Sequence, residues 1–161
     1  MNREYPESRA CETWEYDGCV CSIVQGGGRM NHYCGYARFP ARPVKEPGYG
    51  GIMRFVPVHG GLTYAEEDKD GSMVYGFDCA HCGDEGRPET RDIGWLRQEC
   101  ERMVKVIKAA VPVEERYLLA GTSEERAAVL DKYHERMREE GICFELEGNL
   151  GAMIALMCGA L

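Results

Sequence analysis

Glycine and proline are distributed unequally along the chain, and this distribution limits where helices can form. Residues 1–91 contain 14 of the 20 glycines and six of the seven prolines. Both residue types disfavour helix interiors, and clusters of them are typical of short strands joined by turns. Residues 92–161 retain one proline and six glycines. The sequence therefore predicts a β-rich part, 1–91, followed by a helical part, 92–161.

Four segments of the first part have the β-branched and aromatic content of strands. They are residues 18–24, 32–39, 52–58 and 72–77. The first two flank a glycine-rich stretch, 25–31, which predicts a β-hairpin because glycine adopts the positive φ angles of tight turns. Residues 40–51 are too rich in proline and glycine for regular structure, and the charged residues 66–71 are typical of a solvent-exposed connection.

Apolar residues after Asp92 recur at steps of three and four, which is the period of a helix with one buried face. They are Ile93, Leu96, Cys100, Met103, Val104 and Ile107. Asp92 is a suitable N-cap, and Pro112 predicts that this first helix ends before it.

Two further helical segments follow in the sequence. Thr122 and Glu125 form the pattern of a capping box, which predicts that a helix begins there. Gly141 is a suitable terminator for this helix. The predicted inward face of this helix consists of Val129, Leu130, Tyr133 and Met137. A third helical segment is predicted after Asn149, with Leu150, Met153, Ile154 and Met157 on its apolar face.

These patterns predict a single α+β domain over residues 1–161. Its antiparallel sheet of about four or five strands would be packed on one face by the long helix that begins at Asp92 and flanked by the C-terminal helices. A chain of 161 residues is long enough to bury a substantial core without a metal or disulfide. The sequence does not indicate an oligomeric state.

The charge of the chain argues against several classes of partner. The net charge is −8, and it is evenly divided, with 14 acidic and 10 basic residues in 1–91 and 13 and 9 in 92–161. Without a basic stripe, direct binding of nucleic acid is disfavoured. The longest apolar run, 152–158, is too short for a membrane span, and the N-terminus lacks the apolar core of a secretory signal. We therefore expect a cytoplasmic protein whose nine cysteines are reduced.

Polar side chains are concentrated in residues 58–64 and 76–84, where predicted strands end. The candidate polar site comprises His59, Thr63, Tyr64, Asp78, His81 and Asp84. The two imidazoles and two carboxylates in this set, those of His59, Asp78, His81 and Asp84, are ligands for Zn²⁺, Mn²⁺ or Fe²⁺. If they bind such an ion, the protein would be a small metal-dependent hydrolase, with zinc as a candidate cofactor. Alternatively, the two carboxylates cap turns and the histidines hold them in place, which would be a structural arrangement without catalysis.

Cysteines and aromatic residues offer two further interpretations. Cys79 and Cys82 have the spacing of a zinc knuckle, to which Cys19, Cys21 and Cys34 could add thiolates, but a second CxxC pair is missing and buried, apolar thiols are favoured. Aromatic rings in the β-rich part could stack on a nucleobase with help from Arg29, Arg38 or Arg54, although a place in the sheet core is the simpler interpretation. The rings are those of Trp14, Tyr16, Tyr33, Tyr36, Tyr64 and Tyr75.

Three short motifs carry a resemblance to a known family. The strings HGGLTY at 59–64 and GFDCAH at 76–81, the latter followed by Asp84, and the string RDI at 91–93 resemble uncharacterised small proteins encoded by bacteriophages, prophages and their hosts. The resemblance covers about residues 14–108. It implies an accessory protein of a mobile element that acts by binding, as an inhibitor of a bacterial defence system. Its ligand would be a defence protein, which it binds, or a nucleotide signal, which it captures or destroys.

Overall fold

The computed structural model describes residues 10–26 and 31–142, and in them five strands and two α-helices form an α+β fold. The strands are β1 (Ala10–Tyr16), β2 (Cys19–Gln25), β3 (Tyr33–Phe39), β4 (Tyr64–Glu67) and β5 (Met73–Asp78). The helices are α1 (Ile93–Leu119) and α2 (Ser123–Glu139). All neighbouring strands are antiparallel, in the order β1-β2-β3-β5-β4. The predicted fold class is confirmed.

The strand predictions were right in part. The hairpin of β2 and β3 and the strand β5 are confirmed, but the predicted strand at 52–58 is wrong. Residues Ile52–Phe55 form a short 3-10 helix, and Pro57 then removes a backbone donor that a central strand would need. The prediction also missed both edge strands. β1 alternates between half-buried and exposed residues, and β4 includes Glu66 and Glu67 from the stretch interpreted as a connection.

Helix α1 packs across one face of the sheet, chiefly on β2 and β3. The central strand β3 has small residues at two positions, Gly35 and Ala37, which pair with the large Phe77 and Tyr75 of β5. A Cβ atom on Gly35 would lie 2.5 Å from the Phe77 ring and 2.6 Å from Cys100 Sγ. The helix therefore approaches the sheet closely at this glycine, and the main hydrophobic core lies between the two layers.

The predicted beginning and inward face of α1 are confirmed, but its predicted end is wrong. The Asp92 side chain accepts the N–H of Trp95 at 2.7 Å, and the predicted stripe is fully buried except for Ile93, which is 36% exposed in the first turn. The helix continues through Pro112 to Leu119. Proline removes one backbone hydrogen bond there, whereas the extra turns bury Tyr117 against the core, so tertiary packing outweighs the local preference.

Helix α2 begins and ends as predicted. The capping box of Thr122 and Glu125 is present, and Gly141 follows the helix with a φ of +68°. Leu130, Tyr133 and Met137 are buried, and the Tyr133 hydroxyl donates to the carbonyl of Val106 in α1 at 2.6 Å. Val129 is partly buried against the same core.

The third predicted helical segment, after Asn149, lies outside the described residues. No helix among the described residues is long and apolar enough to cross a membrane.

The close approach of α1 to the sheet predicts that Gly35→Ala destabilises the protein. The added methyl group overlaps Phe77 and Cys100, which we expect to lower the free energy of unfolding by about 1–3 kcal/mol. Gly48→Ala is the matched control because no atom lies within 4 Å of its added Cβ, and its effect should stay within about 0.5 kcal/mol. Chemical denaturation measures both. Equal stability of the two variants would contradict the described packing.

Candidate functional site

Three polar side chains converge where the β4–β5 hairpin begins and ends. His59 lies in the loop that leads into β4, and His81 and Asp84 lie in the loop that leaves β5. Because the two strands are antiparallel, with Tyr64 opposite Gly76, the start of β4 lies beside the end of β5. The hairpin therefore brings together polar residues from segments that are far apart in the sequence.

The distances within this group suit a metal ion. His59 Nε2 lies 3.0 Å from Asp84 Oδ1 and 3.1 Å from Oδ2, and His81 Nδ1 lies 3.4 Å from Oδ2. One ligand atom from each residue can be chosen so that all three lie within 4.8 Å of one another. Ligand atoms at about 2.1 Å from a tetrahedral zinc ion are separated by about 3.4 Å. Among the described residues, this is the group of three or more His, Cys, Asp and Glu side chains that is compact enough to hold an ion.

Asp84 is buried and forms hydrogen bonds with both histidines of the group. Its side chain is 7% exposed, and Oδ2 accepts the backbone N–H of His81 at 2.9 Å. Burial alone raises the pKa of this carboxyl group, but the hydrogen bonds with His59 and the His81 N–H, together with the charges of the two imidazoles, lower it by more. The net pKa is therefore below its ordinary value, and Asp84 is ionised at neutral pH, which is the form that binds metal.

His81 carries a ring nitrogen that is unused within the described residues. Its Nδ1 atom is buried and makes no hydrogen bond there, although it is 3.4 Å from Asp84 Oδ2. The ring lies directly against Gly60, where a Cβ atom would be 2.0 Å from Cε1. Gly60 has a φ of +65° and thus serves both the turn after His59 and the close approach of the two imidazoles, whose ring centroids are 5.6 Å apart.

The other predicted site residues lie outside this group. Asp78 Oδ1 accepts the N–H of Ala80 at 3.0 Å and is 3.8 Å from His81 Nδ1, so this carboxylate caps a turn beside the group of three. Thr63 is exposed, and its N–H donates to the Gly76 carbonyl. The Tyr64 hydroxyl donates to Glu66, and its ring meets that of Tyr36 edge to face. The structure therefore brings together His59, His81 and Asp84 of the six candidates.

Most of the described cysteines fit the interpretation as buried, apolar thiols better than a zinc knuckle. The seven of them form no disulfide, and none belongs to a compact ligand group within the described residues. Cys79 is buried, and this burial raises the pKa of its thiol to about 12, whereas Cys82 is exposed. The Cys79 thiol is therefore neutral at neutral pH, as expected for a buried thiol in the core.

The aromatic residues proposed as a nucleobase platform are dispersed. Tyr75 is fully buried, and Trp14 donates its indole N–H to Glu101 of α1. Tyr36 and Tyr64 meet at an interplanar angle of 90°, which leaves no parallel faces for a base between them. Arg38, one of the proposed arginines, forms an ion pair with Asp68.

Glu99 of α1 also belongs to the site, although the sequence analysis did not identify it. Its side chain is 7% exposed, and Oε1 accepts the backbone N–H of His59 at 2.7 Å while Oε2 accepts from Arg102 Nε at 2.8 Å. The signal was present in the sequence, because Glu99 lies on the apolar stripe, three residues after Leu96 and four before Met103. A carboxylate on a buried helix face needs partners, and the loop that carries His59 provides one.

No family model matches the chain, and no curated protein or solved structure is significantly similar to it. The chemistry of the site is therefore inferred from its own geometry.

The contact between Gly60 and the His81 ring predicts different effects for two adjacent substitutions. Gly60→Ala and Gly61→Ala both place alanine at positive φ, +65° and +85°, but only the first puts a methyl group into the His81 ring. We expect Gly60→Ala to shift the His81 ring signals in NMR spectra and to cost about 1–3 kcal/mol more than Gly61→Ala. Indistinguishable spectra and stabilities would show that the ring does not pack on Gly60.

The hydrogen bonds of Glu99 predict that Glu99→Ala is strongly destabilising. The substitution removes the buried acceptor of the His59 N–H and one acceptor of Arg102, which should cost about 1–3 kcal/mol. Glu99→Gln keeps an oxygen acceptor for the His59 N–H, so it should lower the free energy of unfolding by less than Glu99→Ala does. Chemical denaturation tests this ranking. An alanine variant as stable as the parent would contradict the role of Glu99 in fixing the His59 loop.

Proposed function

We propose that the protein is a small metal-dependent hydrolase that binds one divalent ion of the zinc class. The ligands would be His59 Nε2, His81 Nδ1 and a carboxylate oxygen of Asp84. The observation that carries the proposal is the compact arrangement of these three ligand atoms, in which His81 Nδ1 is buried and has no hydrogen-bond partner within the described residues. In a purely structural cluster of histidine and aspartate, this nitrogen would be expected to form a hydrogen bond.

The number and type of the ligands favour a catalytic role. Structural zinc sites have four protein ligands, whereas two imidazoles with one carboxylate are typical of catalytic sites that keep a coordination position open. A divalent ion held there would supply Lewis acidity for hydrolysis. His81 and Asp84 also line an open cavity of about 610 Å³, which offers space for a substrate next to the three ligands.

The surrounding residues fix the orientation of the ligands. Glu99 holds the backbone of His59, and the His59 ring makes T-shaped contacts with the rings of Trp95 and Phe77, at centroid distances of 5.4 and 6.4 Å. The His81 N–H holds Asp84 Oδ2. Such outer contacts determine how firmly a metal site is preorganised.

The biological setting implied by the resemblance to phage proteins stays a prediction. Destruction of a nucleotide signal is a hydrolytic reaction, so the proposed chemistry is compatible with inhibition of a bacterial defence system. Binding of a defence protein or of a nucleotide signal, without hydrolysis, is the first prediction from the sequence and stays a prediction for this chain.

Metal binding tests the ligand set. We expect one equivalent of Zn²⁺ or Mn²⁺ to bind to protein stripped of metal, measured by competition with a chromophoric chelator. His59→Ala, His81→Ala and Asp84→Asn should each weaken this affinity by about 100-fold or more, because the alanine variants lack a ligand nitrogen and the asparagine variant lacks the negative charge of the carboxylate. Asp78→Asn is the matched control, since this carboxylate lies in the same segment but outside the compact group, and it should change the affinity by less than about tenfold.

Hydrolysis tests the reaction class. The metal-loaded parent should cleave a chromogenic ester or phosphoester, lose this activity to a chelator and regain it when metal is restored, and the three ligand variants should be inactive while still folded. Failure of the parent to bind metal, or ligand variants with the parent's activity, would refute the proposal.

A further inference from the structure

We propose that the cavity beside the three ligands recognises a phosphate group through Arg91 and His32, so that the substrates are phosphate esters. This inference rests on the proposed function, since it names the substrate class of the same site. It depends on two residues that the ligand set does not use.

Three separate stretches of the chain form the cavity. Residues 31 and 32, which precede β3, line it together with the loop after β5 and with Thr90 and Arg91, which precede α1. His32, His81 and Arg91 therefore face a common space although they are distant in the sequence. A ligand in this cavity would contact the proposed ion and these side chains together.

Arg91 provides a positive charge without a partner among the described residues. Its neighbours along the chain are neutralised, since Arg87 pairs with Glu89 and Arg97 with Glu12. Arg91 is exposed at the cavity, and no hydrogen bond or ion pair to it occurs within the described part of the chain. Its planar guanidinium group matches the paired oxygens of a phosphate.

His32 provides a second polar residue among those that line the cavity. Its Nδ1 atom is buried and has no hydrogen-bond partner in the described residues. The residue is fixed in place because its carbonyl accepts the N–H of Gly26 at 2.7 Å and its ring packs on that glycine, where a Cβ would be 3.0 Å from Cε1. A buried nitrogen of this kind is normally paired, and a ligand oxygen in the cavity would satisfy it.

The charges around the cavity favour an anion once the metal is present. Asp84 and the exposed Glu85 also line it and offset Arg91 in the metal-free protein. A divalent ion neutralises these two carboxylates, which leaves the charge of Arg91 for an anionic ligand. We therefore expect phosphate to bind more tightly to the metal-loaded protein than to the metal-free protein.

Isothermal titration with inorganic phosphate tests the inference, in both metal-free and Mn²⁺-loaded protein. Arg91→Gln should weaken phosphate binding by about tenfold or more, and His32→Gln by several-fold, because each removes a contact to the anion. Arg87→Gln is the matched control, because this arginine is also exposed and lies four residues away, but it is paired with Glu89 and does not line the cavity. The phosphate affinity of this variant should match that of the parent. Thermal unfolding verifies that the variants are folded.

The outcomes separate this inference from the proposed function. Phosphate binding that depends on Arg91 supports the inference. If the protein binds no metal, phosphate binding to the metal-free protein that depends on Arg91 still supports it. No phosphate binding, equal binding by Arg91→Gln, or equally tight binding of acetate overturns it, while the metal titration independently decides the ligand set.

Discussion

The packing of α1 on the sheet at Gly35 is the contact on which the other features depend. The missing side chain lets Cys100 and Phe77 meet over β3, and this fixes the height of the helix above the sheet. At that height Glu99, the residue before Cys100, reaches the backbone of His59. The same close contact that forms the core thus positions a loop of the candidate site.

The sequence predicted the features that local rules determine. The Asp92 cap, the capping box of Thr122 and the buried face of α1 follow from short-range patterns, and all are present. The errors occurred where tertiary contacts decide. Residues Ile52–Phe55, three of them apolar, form a 3-10 helix that packs on α1. Helix α1 itself continues past Pro112 because its later turns have a core to cover.

The candidate site was predictable in its residue types but not in its membership. His59, His81 and Asp84 were identified by their chemistry, yet nothing local separates Asp84, which faces both histidines, from Asp78, which caps a turn six residues earlier. Their difference depends on the left-handed turn at Gly83 and the start of the following 3-10 helix. His32 and Glu99 were missed because only the folded chain brings them near the site.

The position of the site at the base of a hairpin has a consequence for how the edge of the sheet is held. His59 and Asp84 are 25 positions apart, and the chain between them contains β4, which has a single neighbouring strand. Contact between these two residues closes a loop, and closure of a loop reduces the conformational entropy of the chain within it. The edge strand is therefore secured along its length by the ladder with β5 and, at the end where it begins, by an imidazole and a carboxylate.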